Sequence, residues 1–363
     1  LKDYKLKKID WYILKNFLST FFYVVIILCF VIAVIDYAEK NDKFIKHNLS
    51  FEQIRSYYFS FIPFIASLIT PITAFVATVY VTANLSIRSE IIALLSSGFS
   101  LKRIMLPYFY GGILIAILSF VLNGWILPKA NKSRVNFEVS YIKSPYYFSD
   151  NNVHFKISDE TYLYLERYDN NLEVGNNVSI EKFKDNSLKE RLIGRQLVWD
   201  SEDNIWNIKS WQLRILNDDG NEDISSGLQL DTALLINPSD FDNNYKLNET
   251  LTLTELNKHI ELLKLRGSDS VVLYEIEKYI RYTQPFTILI LILIGVIVSS
   301  RKSRQGTGIL ITLGFLFAFT FIIFFVMSRA FAENGTLNPL LAIWIPNIVF
   351  ILIGILMYRI IPR

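Results

Sequence analysis

The run NFLSTFFYVVIILCFVIAVI, residues 16–35, carries no charged side chain. A bilayer core about 30 Å thick is crossed by roughly 20 helical residues, each rising 1.5 Å, so this run reads as a transmembrane helix. Five more uncharged runs of about that size or longer follow, at 56–87, 104–128, 282–300, 305–328 and 334–358. Over 363 residues the composition is 52% hydrophobic with a mean hydropathy of +0.30, which is the balance of a membrane protein. The first run is too long for a signal-peptide core. No small-residue cleavage site precedes Asp36-Tyr37-Ala38-Glu39, so it is expected to stay attached. Pro63 and Pro71 predict that the second helix is kinked and runs past the membrane surface.

Charge excludes some classes and orients the rest. With 37 basic against 34 acidic residues the chain lacks the excess of a nucleic-acid binder, so no nucleic-acid partner is expected. A single cysteine, Cys29, and three scattered histidines offer neither a disulfide nor a zinc motif. Lys2, Lys5, Lys7, Lys8 and Lys15 precede the first span. Arg88, Lys102 and Arg103 lie between the second and third, Arg301, Lys302 and Arg304 between the fourth and fifth, and Arg359 and Arg363 after the sixth. By the positive-inside rule both termini are cytoplasmic.

The large insertion 129–281 then lies on the other side, dividing the spans three and three. In it Val153, Phe155 and Ile157 alternate with His154 and Lys156, and Trp211, Leu213 and Ile215 alternate with Gln212 and Arg214. Period two recurs at 162–168, 178–183, 192–199 and 228–236, with turn residues at 200–204 and 217–220, which predicts an all-β sandwich or jelly roll. From Thr252 the pattern turns helical. Thr254 is expected to cap a helix with Leu256, Ile260 and Leu263 on one face and Gly267 at its end, and a second helix from about Ser268 leads into span four. The expected architecture is an α-helical membrane protein of six transmembrane helices, three plus three, with an inserted all-β jelly-roll-like domain. Its segments are 1–128 with a cytoplasmic helix at about 88–99, a β domain at 129–250, a helical connector at 251–281, and 282–363.

No phosphate-cradling Walker loop, Rossmann glycine pattern or nucleophile elbow is present, so no catalysis and no cofactor are expected. The informative segment is Arg88-Ser89-Glu90-Ile91-Ile92-Ala93-Leu94-Leu95-Ser96-Ser97-Gly98-Phe99-Ser100. It reads as a short amphipathic helix with an acid in its first turn, closed by Gly98, with Ser100 capping the helix that begins near Lys102. Such a helix suits a groove on a soluble partner.

Arg88-Ser89-Glu90, the apolar run and Ser97-Gly98-Phe99-Ser100 resemble the coupling-helix signature of the LptF/LptG permease family, the membrane subunits of the lipopolysaccharide export ABC transporter. Asp36, Pro71, Gln284-Pro285, Leu337-Asn338-Pro339, Trp344 and Asn347 agree with it. The resemblance covers essentially the whole chain. It implies a non-catalytic subunit of the bacterial inner membrane that extracts lipopolysaccharide toward a periplasmic bridge, LptG-like more than LptF-like. ATP is then hydrolysed by a separate LptB-type ATPase dimer. The other partners it implies are a second LptF/LptG-type permease subunit, LptC- and LptA-type periplasmic proteins and the lipid itself. Arg88, Glu90 and Gly98 would serve ATPase coupling. Asp36, Lys40, Lys43, Phe155 and Trp211 are the candidate lipid-binding residues. The family's lysine in the last turn of span one is replaced here by apolar Ile32-Ala33-Val34, so Lys40 and Lys43 would act from the following loop; read plainly, they are solvated neighbours of Glu39 and Asp42. The alternatives are a MacB/LolE/FtsX-type mechanotransmission subunit, which the three-plus-three layout disfavours, and a membrane scaffold or sensor that moves no substrate.

Overall fold

The computed structural model describes residues 8–142, 151–158, 160–169, 172–184, 187–201, 203–217, 221–234, 236, 238, 246–265, 270–300 and 307–360. The basic residues Arg301, Lys302, Arg304 and Arg363 lie outside them, as do Gly267 and Ser268. Two compact units are present, one carrying the long helices and the other the sheet.

In the helical unit, α1 (Lys8–Lys46) and α2 (Phe51–Ile87) are followed by short α3 (Glu90–Ser96) and by α4 (Leu101–Val121). A π-helical turn, Leu122–Ile126, joins α4 to α5 (Leu127–Phe137), and a second at Glu138–Ile142 extends it. After the sheet come α6 (Leu247–Thr250), α7 (Leu253–Leu265), α8 (Val271–Ser299), α9 (Thr307–Glu333) and α10 (Pro339–Ile360). Among the described residues, six helical stretches are long and apolar enough to cross a membrane. The six spans expected from the sequence are therefore present.

Two of them outrun their apolar cores. No glycine or proline interrupts residues 8–46, so α1 continues to Lys46 and carries Lys40 and Lys43 on its own last turns rather than in a loop. It stops at Asn48, whose φ of 49° closes the helix with Asn48 N donating to Ile45 O and Leu49 N to Phe44 O. Ser50 and Gln53 then form the capping box that starts α2. Likewise the third span continues beyond residue 128 to Ile142.

Burial ranks the helices. In α8, 61% of the most apolar stretch is buried, against 11% in α1, so α8 is central and α1 peripheral. One cluster joins Phe17, Ala77, Tyr108 and Ile292, from α1, α2, α4 and α8. A second joins Phe75, Leu291, Phe321 and Phe350, from α2, α8, α9 and α10. Small residues permit the approach: a Cβ at Gly111 would meet the Phe17 ring at 2.8 Å, and one at Gly295 would meet Thr78 at 3.1 Å.

The other unit is an antiparallel sheet of β1 (Asn151–Lys156), β2 (Thr161–Asp169), β3 (Val174–Lys184), β4 (Ser187–Asp200), β5 (Ile205–Leu216) and β6 (Glu222–Thr232), in sequence order. The inserted all-β domain is thus a meander. Leu163, Leu165, Val178, Leu197, Trp206 and Ile208 form its core, and the Trp206 indole donates to Ile236 O at 2.8 Å, drawing the segment after β6 over that face. β6 starts well before residue 228 because Glu222 to Ser226, polar apart from Ile224, pair along β5 as an edge strand without needing a buried side.

The alternation changes phase along one line across this sheet. Leu165 and Tyr168 are both in the core, as are Val178 with Gly175 and Leu197 with Gly194 on neighbouring strands. Asn177 and Ser210, at the phase change, have φ of 48° and 52°. Period two holds on either side of the line, so short runs were readable while the switch between them was not.

Candidate functional site

At the α2–α4 connection, Ser89 takes a left-handed conformation, φ 59°, and turns the chain so that Glu90 opens α3. Gly98 closes the helix at φ 87°, with Phe99 N donating to Leu94 O at 3.0 Å and Gly98 N to Leu95 O at 3.1 Å. Ser100 Oγ accepts from Arg103 N at 3.3 Å, capping α4, which starts at Leu101. Ile91 is fully buried beside Ile13, Leu85 and Ile104, whereas Ile92 and Leu95 are exposed. Arg88 is exposed and Glu90 half-buried, and neither side chain has an ion-pair partner among the described residues. The helix is thus anchored through Ile91 and presents two apolar side chains and an acid on its other side.

Lys40 is fully engaged within its own unit. Its Nζ lies 2.5 Å from Asp36 Oδ1 and 2.5 Å from the Tyr57 hydroxyl, and 4.8 Å and 5.1 Å from the centroids of the Tyr57 and Phe61 rings. Tyr58 donates to Asp36 Oδ2 at 3.0 Å. The carboxylate that Lys40 meets is therefore Asp36, and the half-buried cluster clasps α1 to α2. Lys43 points elsewhere, donating to Ile142 O at 2.7 Å. Cys29 packs with Tyr57, Phe61 and Ile65 as a small apolar residue.

Pro71 and Pro346 each free a carbonyl that a side chain of another helix takes up. Pro71 has no N–H for Ser67 O, four residues earlier. Gln284 Nε2 donates to that oxygen at 3.0 Å, while Gln284 Oε1 accepts from Asn123 Nδ2 at 3.2 Å. Pro346 similarly releases Ala342 O, which accepts from Ser328 Oγ at 2.5 Å. Thr287 donates to Asn347 Oδ1 at 2.8 Å, tying α8 to α10. Hence Pro71 and Gln284, far apart in sequence, serve one contact.

Two buried arginines, not singled out from the sequence, hold the chain where it returns from the sheet. Arg134 reaches Glu138 at 2.9 Å and Glu249 at 2.5 Å, with its guanidinium 4.0 Å over Phe64. Arg281 donates to Leu251 O at 2.6 Å and Asn248 O at 2.9 Å. The i,i+4 spacing of Arg134 and Glu138 was the available signal; their burial was not.

In the sheet, Phe155 and Trp211 are half-buried against the core, and the Trp211 indole lies over Gly227 and donates to Gln229 O at 3.0 Å. Gln212 faces outward.

A family model described as the lipopolysaccharide export system permease LptF/LptG matches residues 11–360. The lipopolysaccharide export system permease protein LptG of Escherichia coli strain K12 is 19% identical over 371 residues, covering 96% of each chain. LptG of Escherichia coli O6:H1 matches to the same extent. An uncharacterized protein of Rickettsia prowazekii is 31% identical over 87 residues, 23% of this chain and 24% of its own.

Proposed function

We propose, because this chain belongs to the LptF/LptG family of lipopolysaccharide export permeases, that its α3 docks into a separate LptB-type ATPase and transmits hydrolysis there to lipid extraction from the bacterial inner membrane. The chain itself is then non-catalytic. The observation that carries this reading is α3 itself: held by Ile91, exposing Ile92 and Leu95, and opening with a Glu90 whose charge no described residue neutralises. A basic groove would supply the missing partner through charge-assisted contact. Glu90→Lys should reduce co-purification of the ATPase and lipid-stimulated hydrolysis while the chain still inserts in the membrane. Wild-type recovery and stimulation in that variant would leave Glu90 as a mere complement to the helix dipole.

The subunit is LptG-like, a reading supported by the Escherichia coli relatives, and pairs with a second permease of its family. LptC- and LptA-type proteins receive the lipid. In the β domain the side of the sheet carrying Phe155 and Trp211 offers acyl chains an apolar, non-directional surface. A photo-crosslinker at Phe155 or Trp211 should capture lipopolysaccharide during ATP turnover, and one at Gln212 should not. Equal capture at all three would make the domain a scaffold.

A further inference from the structure

Beside α3, the ends of α1 and α4 are joined by an ion pair that neither the coupling segment nor the lipid-facing candidates include. Arg103 Nη2 lies 2.5 Å from Asp10 Oδ2, with the two side chains 13% and 3% exposed. Arg103 stands in the first turn of α4, and its backbone N–H is the group that Ser100 caps. The pair therefore follows directly on the segment that closes α3. Above it the same two helices touch through Phe17 and Tyr108, whose centroids are 5.5 Å apart, and Thr82 of α2 donates to the Tyr108 hydroxyl at 3.0 Å.

The contacts among α3, α1 and α4 are of two physical kinds. Ile91, Ile13 and Ile104 meet through apolar burial, which is non-directional and lets helices slide. A buried ion pair is directional, and pulling its two charges apart away from water is costly. When α4 moves, Asp10 must follow. On the outer face of α1 Phe22, Tyr23, Ile26 and Phe30 are exposed, and none of them has an ion pair among the described residues.

We propose that Asp10 and Arg103 are a positioning pair that carries displacement of α3 into α1, so that the exposed apolar face of α1 moves with the nucleotide state of the ATPase. This rests on the reading that α3 engages an ATPase. The test uses the full chain with Cys29→Ala, purified with its ATPase and second permease subunit and placed in nanodiscs. Spin labels on Ile26→Cys of α1 and Leu316→Cys of α9, both exposed, report their separation without nucleotide and after vanadate trapping with ATP. Asp10→Asn should retain the ATPase and basal hydrolysis but lose the nucleotide-dependent shift in separation. Asp10→Glu and the reversed pair Asp10→Arg with Arg103→Asp should restore it. A full shift in Asp10→Asn would overturn the proposal, as would a reversed pair that assembles but leaves α1 still. If the unmutated pair shows no shift although the ATPase is recovered, the positioning role alone fails. If no ATPase is recovered with it, the role of α3 fails and this proposal falls with it.

Discussion

Ser67 has a carbonyl that its own helix cannot satisfy, because Pro71 brings a ring where the donor should be. In hydrocarbon no water replaces that donor, and Gln284 does so at 3.0 Å. Gln284→Leu should therefore cost about 1–3 kcal/mol, the penalty of a buried unsatisfied carbonyl, though helix contacts in membranes often measure nearer 1 kcal/mol. The informative comparison is the same substitution in a Pro71→Ala background, where the helix recovers its own N–H. Unfolding measured in mild detergent should show a smaller loss there. An equal loss in both backgrounds would assign the role of Gln284 to Asn123 alone. Proline and glutamine were visible in the sequence as separate marks, but their meeting required α2 and α8 to pack.

Capping shows how far a single element is written locally. Thr252 and Thr254 both precede the helical pattern, and Thr254 was the expected cap of α7. Glu255 stands three residues after Thr252, and its carboxylate accepts from Thr252 N at 2.8 Å, whereas the corresponding position for Thr254 is Asn257. The reciprocal pair settles the start at Leu253. The Thr252 backbone N–H, then its hydroxyl, hold the Glu255 carboxyl below its ordinary 4.5, with Lys132 and Lys129 adding to the effect. A carboxyl lowered in the folded state contributes stability that is present above its unfolded value and lost as pH falls through the folded one. Thermal unfolding followed by circular dichroism should thus lose more between neutral and acid pH in the unmutated chain than in Glu255→Gln, which keeps the bonds and removes the titration. Because Glu255 is exposed, the difference is small. Parallel slopes would remove Glu255 from the acid response.

For the whole molecule, the excess of lysine and arginine beside one set of span ends predicts, by the positive-inside rule, that α3 is cytoplasmic and the sheet periplasmic. Leu172 is 71% exposed in the sheet unit and Ser97 is exposed beside α3. With Cys29→Ala, an impermeant thiol reagent applied to intact spheroplasts should label Leu172→Cys and spare Ser97→Cys. The opposite pattern would invert the topology and remove α3 from any cytoplasmic ATPase.

The six spans, the β insertion and the short helix between α2 and α4 were determined by the sequence alone. Each rests on a requirement met residue by residue: twenty apolar side chains to satisfy a hydrocarbon slab, alternation to present one face, Gly98 to turn left-handed where a side chain is strained. The continuation of α1 through Lys40 follows from the same local rule, since nothing before Asn48 breaks it. Only the tertiary structure decided the partners: Asp36 and Tyr57 for Lys40, Asp10 for Arg103, and for Arg134 a glutamate 115 residues away. A charge in the sequence states that a partner is needed once water is removed. Which one it gets depends on which helix ends packing brings together, and that information belongs to pairs of distant segments rather than to either one.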